Sequence, residues 1–83
     1  MKIKVTLISM NGQYPLGFDP SGTAEFNLKD GSTLEILWTE IGLSKNEHYN
    51  VLRNGTTIPP EERKNLLLIN GDEITIFPSM EGG

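Results

Sequence analysis

The chain has 83 residues, no cysteine, one histidine and a formal net charge of −4. That composition excludes disulfides, thiolate–metal sites and a cysteine nucleophile. Its seven scattered Lys and Arg residues supply no basic stripe, so no nucleic-acid partner is expected. No apolar run is long enough to span a membrane and the N-terminus lacks a signal-peptide core, so the expectation is no membrane association and a cytoplasmic protein. The length predicts one domain, held by one apolar core drawn from 36% hydrophobic residues.

The opening run KIKVTLIS alternates, sending Ile3, Val5 and Leu7 to one face and Lys4, Thr6 and Ile8 to the other, which predicts a strand over Lys2 to Ser9. A dozen residues rich in Gly, Pro, Asn and Asp then read as a loop. A second alternating run, Thr23 to Lys29, faces Ala24, Phe26 and Leu28 together, giving a hairpin with a wide loop. After it the period changes. Leu34, Leu37, Trp38 and Ile41 fall at the spacing of one helix face. Ser32 and Glu35 form a capping-box pattern ahead of that face, and Gly42 is placed to end the helix in the left-handed region.

Tyr49 to Arg53 reads as a third strand, turned by Asn54-Gly55 into a brief return strand that ends near Ile58. Pro59 and Pro60 stop it and open a single helical turn over EERKN. A buried stretch and a second Asn-Gly turn, Asn70-Gly71, lead into a last strand from about Glu73 to Phe77, with Ile74 and Ile76 on one face.

The order strand, strand, helix, strand, short strand, strand predicts an α+β layer architecture. It suits a β-grasp: a mixed sheet of four or five strands, one main helix across one face, and the first and last strands adjacent at the centre. Ile3, Val5, Leu7, Phe26, Leu28, Ile74 and Ile76 are expected to join the helix residues in the core. Alternation sends Ile8 and Phe77 to the opposite face, where an exposed Phe beside an Ile predicts a protein contact. The domain is placed at residues 1–77, with a flexible tail over 78–83.

Residue chemistry points away from a freestanding enzyme. His48 has no Cys or His partner for a metal, so no metal site is expected. No spacing marks a catalytic triad, and neither NGTTI nor INGDE has the glycine spacing of a phosphate loop. Asp72 reads as a turn residue. The terminal pair Gly82-Gly83 is a different matter. At average glycine usage it occurs at about one chain end in two hundred, and its chemistry is specific. A terminal glycine presents a carboxylate with no side chain beside it, and a second glycine lets the backbone thread a narrow channel. Extended, the tail spans roughly 20 Å, enough to enter an active site while the domain stays outside.

INGDEITIFPSMEGG closely resembles the ending of the MoaD/ThiS family of ubiquitin-like sulfur carriers, and LRNGTTIPPEER is similar to the segment before it. The strong match covers roughly residues 51 to 83; the first fifty agree in pattern only. The resemblance implies that Gly83 carries its carboxylate to an ATP-using adenylating enzyme related to ubiquitin-activating enzymes. There it becomes an acyl-adenylate and then a thiocarboxylate, with Gly82 giving access. ATP belongs to that partner, and no bound cofactor is implied. The sulfur is implied to pass to a synthase, either the large subunit of molybdopterin synthase or thiazole synthase. Phe77 and Ile8 match partner-facing positions of the family; Met80 and Glu81 lie in the tail as further partner-contact candidates, Glu81 either setting partner choice or simply keeping the tail solvated. Ser79 departs from the family's double proline, the length suits the molybdopterin branch, and IPPEER is closer to the thiamin branch, so the pathway stays open. Two other readings also stay open: a protein modifier joined to lysines through Gly83, and a β-grasp interaction module with an inert tail.

Overall fold

A computed structural model of the chain describes residues 1–9, 11–43 and 49–78. It has a five-stranded mixed sheet in the order β2-β1-β5-β3-β4. The strands are β1 (Lys2–Leu7), β2 (Thr23–Asn27), β3 (Tyr49–Arg53), β4 (Thr56–Thr57) and β5 (Glu73–Pro78). The helix α1 (Leu34–Ile41) and a single turn α2 (Pro60–Arg63) complete it. β1 pairs antiparallel with β2, in the register Ile3↔Phe26 and Val5↔Ala24. It pairs parallel with β5 through Val5↔Ile74 and Leu7↔Ile76. The first and last strands are therefore neighbours at the centre, as the β-grasp arrangement requires.

One face of this sheet is covered. Ile3, Val5, Leu7, Ile74 and Ile76 pack against Leu34, Leu37 and Ile41 of α1, and Leu37 is fully buried. Two residues absent from the expected core, Val51 and Leu68, are buried with them. Phe26 and Trp38, expected inside, are only half-buried. Phe26 stands on β2, an edge strand, where its ring meets Phe18 at 6.0 Å. Trp38 lies at the rim of the helix face and stacks edge-on against Tyr49 at 5.3 Å.

The helix starts one residue later than a Ser32 cap would give. Ser32 is buried because its backbone is engaged elsewhere: its N–H donates to the Lys29 carbonyl and its own carbonyl accepts from Leu68 N–H. Thr33 is the N-cap instead, and its Oγ1 accepts from Ile36 N–H at 3.4 Å. The residue three positions on is then Ile36, so Thr33 has no capping-box partner there, and Glu35 places its charge near the positive end of the helix. The C-terminal end is as expected. Gly42 has φ 85° and its N–H reaches the carbonyls of Trp38 and Thr39.

The β3–β4 hairpin turns on Asn54 and Gly55, whose φ values of 49° and 85° give the two left-handed residues of a type I′ turn. Gly22 is needed for a different reason. Its N–H and carbonyl are both engaged, and a Cβ there would collide with the Leu7 carbonyl oxygen and the Tyr14 ring.

Candidate functional site: the open sheet face and the chain exit

Because β1 and β5 are parallel, both end on the same side of the sheet. The Ile8 N–H donates to the Ile76 carbonyl at 2.9 Å, extending the β1–β5 register by one step and setting Ile8 beside Phe77. Leu7 and Ile76 point into the core, so alternation turns Ile8 and Phe77 to the face away from α1. Ile8 is 49% exposed, and Phe77 is half-buried without packing on the core cluster. The two sequence-derived positions thus lie side by side on the uncovered face.

A third apolar side chain joins that face. Val51 is buried, so Leu52 next to it in β3 points outward, opposite Thr75 of β5 and two residues along the ladder from Asn50 opposite Phe77. Leu52 is half-buried and makes no contact with the core. The alternation of YNVLR carried this signal once Val51 was taken as inward. Beyond these residues the open face is polar. Lys4 and Glu73 pair at 3.7 Å and Lys2 and Glu25 at 3.9 Å, all largely exposed, and such pairs contribute little to stability.

Where β1 and β5 end, a groove of about 400 Å³ opens along Leu7, Ile8, Ser9, Asn11, Leu43 and Pro78. Pro78 is the last described residue and pairs with Tyr49 at the end of the ladder. Met80, Glu81, Gly82 and Gly83, named as candidate site residues, lie outside the described residues, as does His48. Among the described residues no group of His, Cys, Asp and Glu could hold a metal ion, and no helix is long and apolar enough to cross a membrane.

The strand that carries the chain to this exit is fixed at its other end by Asp72. Far from being a plain turn residue, Asp72 is buried. Its Oδ2 accepts from Arg53 Nε at 3.0 Å and Ile69 N–H at 2.8 Å and forms an ion pair with Arg53 Nη2 at 2.8 Å, while Oδ1 accepts from Asn54 Nδ2 at 3.0 Å. Burial pushes the carboxyl pKa up, but the bonds from Ile69, Arg53 and Asn54 outweigh it and hold the pKa below the usual carboxylate value. Asn54 closes the network by accepting from Glu73 N–H at 2.8 Å. The β3–β4 turn, the Asn70-Gly71 turn and the start of β5 are thereby one polar unit. Arg63 does similar work for α2, donating to the carbonyls of Ile58 and Tyr49, and burial lowers its pKa.

The profile of the ThiS family matches residues 17–83, which takes in the helix, the central strand β5 and the terminal glycines. The chain belongs to the ThiS family. Its fold agrees with that assignment. The crystal structure of SAMP1 from Haloferax volcanii superposes with a TM-score of 0.67 at 21% identity, with all of both chains covered. The solution structure of the Haloferax volcanii HVO 2177 protein superposes with a TM-score of 0.65 at 22% identity, covering all of this chain and 87% of that one. At such identities the likeness establishes the shared ubiquitin-like fold. Comparison with curated proteins finds no match.

Proposed function

We propose that this ThiS-family chain is a sulfur carrier that works through the carboxylate of Gly83. The observation that carries the reading is the family match, which runs through β5 to residue 83. The fold supports it: β5 ends at Pro78 beside an uncovered face bearing Ile8, Phe77 and Leu52. In this reading the docking domain runs through Pro78, which is the last residue of β5 rather than the first of the tail, and the tail that enters a partner's channel follows it.

A carboxylate is a poor electrophile until one oxygen becomes a good leaving group. The partner enzyme supplies ATP. A Gly83 carboxylate oxygen attacks the α-phosphorus, the bond to the bridging oxygen breaks, and pyrophosphate leaves an acyl-adenylate. A persulfide sulfur then attacks the acyl carbon and displaces AMP, and reductive cleavage of the S–S bond by a thiol leaves the thiocarboxylate. That sulfur is passed to an acceptor in molybdopterin or thiazole synthesis. The chain itself contributes no acid, base or metal. Its contribution is position: Ile8, Phe77, Met80 and Glu81 dock and orient, and Gly82 and Gly83 fit where a side chain would not.

ATP–pyrophosphate exchange with the cognate adenylating enzyme tests this reading. Deleting Gly83 withdraws the carboxylate by about 3.5 Å and a one-residue extension moves it past the nucleotide, so both variants should lose exchange that the wild type supports. Equal exchange by all three, or by none, would leave a β-grasp interaction module with an inert tail as the better reading.

A further inference from the structure

Three Asn-Gly pairs occur in the chain: Asn11-Gly12, Asn54-Gly55 and Asn70-Gly71. Asn-Gly is the dipeptide most open to attack of the following backbone nitrogen on the asparagine side-chain carbonyl, because glycine places no side chain beside that nitrogen. The fold treats the three pairs differently. We propose that Asn11 is a site of spontaneous covalent modification, converted by the folded chain to aspartate or isoaspartate while Asn54 and Asn70 are held back.

The restraint at the latter two is visible. Asn54 is pinned from both ends of its amide, donating to buried Asp72 and accepting from Glu73 N–H. Turning its carbonyl carbon toward the Gly55 nitrogen would break both bonds and strip a partner from a buried carboxylate. At Asn70 the nucleophile itself is occupied: Gly71 N–H donates to the Lys2 carbonyl at 2.8 Å, and Asn70 Oδ1 accepts from Lys2 N–H at 2.7 Å.

Asn11 differs in that its nucleophile is unoccupied and its side-chain oxygen bonds within its own loop rather than to a buried carboxylate or a neighbouring strand. The Gly12 N–H has no acceptor among the described residues. Asn11 Oδ1 meanwhile accepts from Gln13 N–H at 3.0 Å and from Ser9 Oγ at 2.7 Å. Those donors sit on the oxygen that becomes negative when the Gly12 nitrogen adds to Cγ, so the resting contacts stabilise the charge that develops.

The chemistry balances with water alone. A solvent base takes the Gly12 amide proton and the nitrogen bonds to Asn11 Cγ. The Cγ–Nδ2 bond then breaks, releasing ammonia and leaving a cyclic imide. Water opens the imide at either carbonyl, giving aspartate or isoaspartate, so amide plus water becomes carboxylate plus ammonium. Asn11 lines the groove beside Ile8 and Pro78, so the new carboxylate would appear at the edge of the docking face. That consequence rests on the proposed docking role. The site of reaction does not, and it is read by mass alone.

The full chain is incubated folded in mildly alkaline buffer, and in parallel unfolded in urea. Each sample is digested and the three Asn-Gly peptides are quantified by mass, with aspartate and isoaspartate resolved by chromatography. In the folded chain the Asn11 peptide should convert at least about tenfold faster than the other two, the scale set by one or more hydrogen bonds that must break first at Asn54 and Asn70. In urea the three rates should converge. Ser9→Ala, which removes one donor to Oδ1, should slow conversion at Asn11 severalfold and leave the other two peptides unchanged. Equal rates in the folded chain, a lead by Asn54 or Asn70, or a Ser9→Ala chain that converts as fast as wild type would overturn the proposal.

Discussion

Replacing Asp72 with asparagine probes how strongly the start of β5 is held. The wild-type carboxylate accepts three hydrogen bonds, from Arg53 Nε, Ile69 N–H and Asn54 Nδ2, and forms an ion pair with Arg53 Nη2, so every partner approaches as a donor. Asparagine offers one oxygen and one NH₂. With its oxygen toward Arg53 and Ile69, its NH₂ meets Asn54 Nδ2, donor against donor. Asn54 cannot flip to relieve this, because its own Oδ1 accepts from Glu73 N–H. The opposite rotamer is worse, since it aims NH₂ at Arg53 and Ile69. One bond is lost in either case, the rest lose their charge assistance, and Arg53, whose side chain is 19% exposed, keeps its charge without a counter-charge.

Breaking a buried ion pair from one side costs about 3–5 kcal/mol. The partial access of Arg53 to water reduces that, and about 2–3 kcal/mol is expected for Asp72→Asn. Set against roughly 4–12 kcal/mol for a domain of this size, the loss is large and corresponds to a Tm lower by about 10 °C or more. Urea unfolding followed by fluorescence of the single tryptophan, Trp38, measures it directly. The pH dependence gives a second check. The folded-state pKa of Asp72 is depressed, so its contribution is complete above the unfolded carboxylate value, about 3.9, and is lost as pH falls through the folded value. The wild-type advantage over Asp72→Asn should therefore shrink in acid. Equal urea midpoints at neutral pH, or an advantage that grows on acidification, would refute the reasoning.

Leu37→Ala removes a fully buried side chain from the centre of the α1–sheet contact and should cost about 2–5 kcal/mol; a loss under about 1 kcal/mol by the same urea assay would mean that the contact is not close-packed. Phe77→Ala should leave the urea midpoint nearly unchanged, since the ring does not pack on the core. If Phe77 anchors the proposed partner, the same variant should weaken binding to the adenylating enzyme by about 2 kcal/mol, roughly thirtyfold. Titration calorimetry that finds full affinity would remove Phe77 from the docking surface.

The parts of the fold legible in the sequence are those governed by local period. The alternation of Ile3, Val5 and Leu7, the helical spacing of Leu34, Leu37 and Ile41, and the Asn54-Gly55 turn each carry their structure within a few residues. What was not legible depends on distant chain. Ser32 loses the cap position because Leu68, far along the sequence, takes its carbonyl. Phe26 stays half-open because β2 proves to be an edge, a property of sheet order that alternation cannot report. Asp72 looks like any residue after a turn glycine until Arg53 and Asn54 are brought against it. At the candidate site, Ile8 and Phe77 followed from alternation plus strand adjacency, and Leu52 obeys the same rule.

The central claim, that Gly83 carries sulfur, is tested most directly by the intact mass of the chain isolated from its native cell without reducing agents. A thiocarboxylate replaces one carboxylate oxygen by sulfur, and fragmentation should place that mass difference on Gly83. Such a species is expected alongside the plain carboxylate, with the sulfur form lost when the adenylating enzyme is absent. A population that shows only the carboxylate, or one in which Gly83 is found joined to lysine side chains of other proteins and never to sulfur, would contradict it.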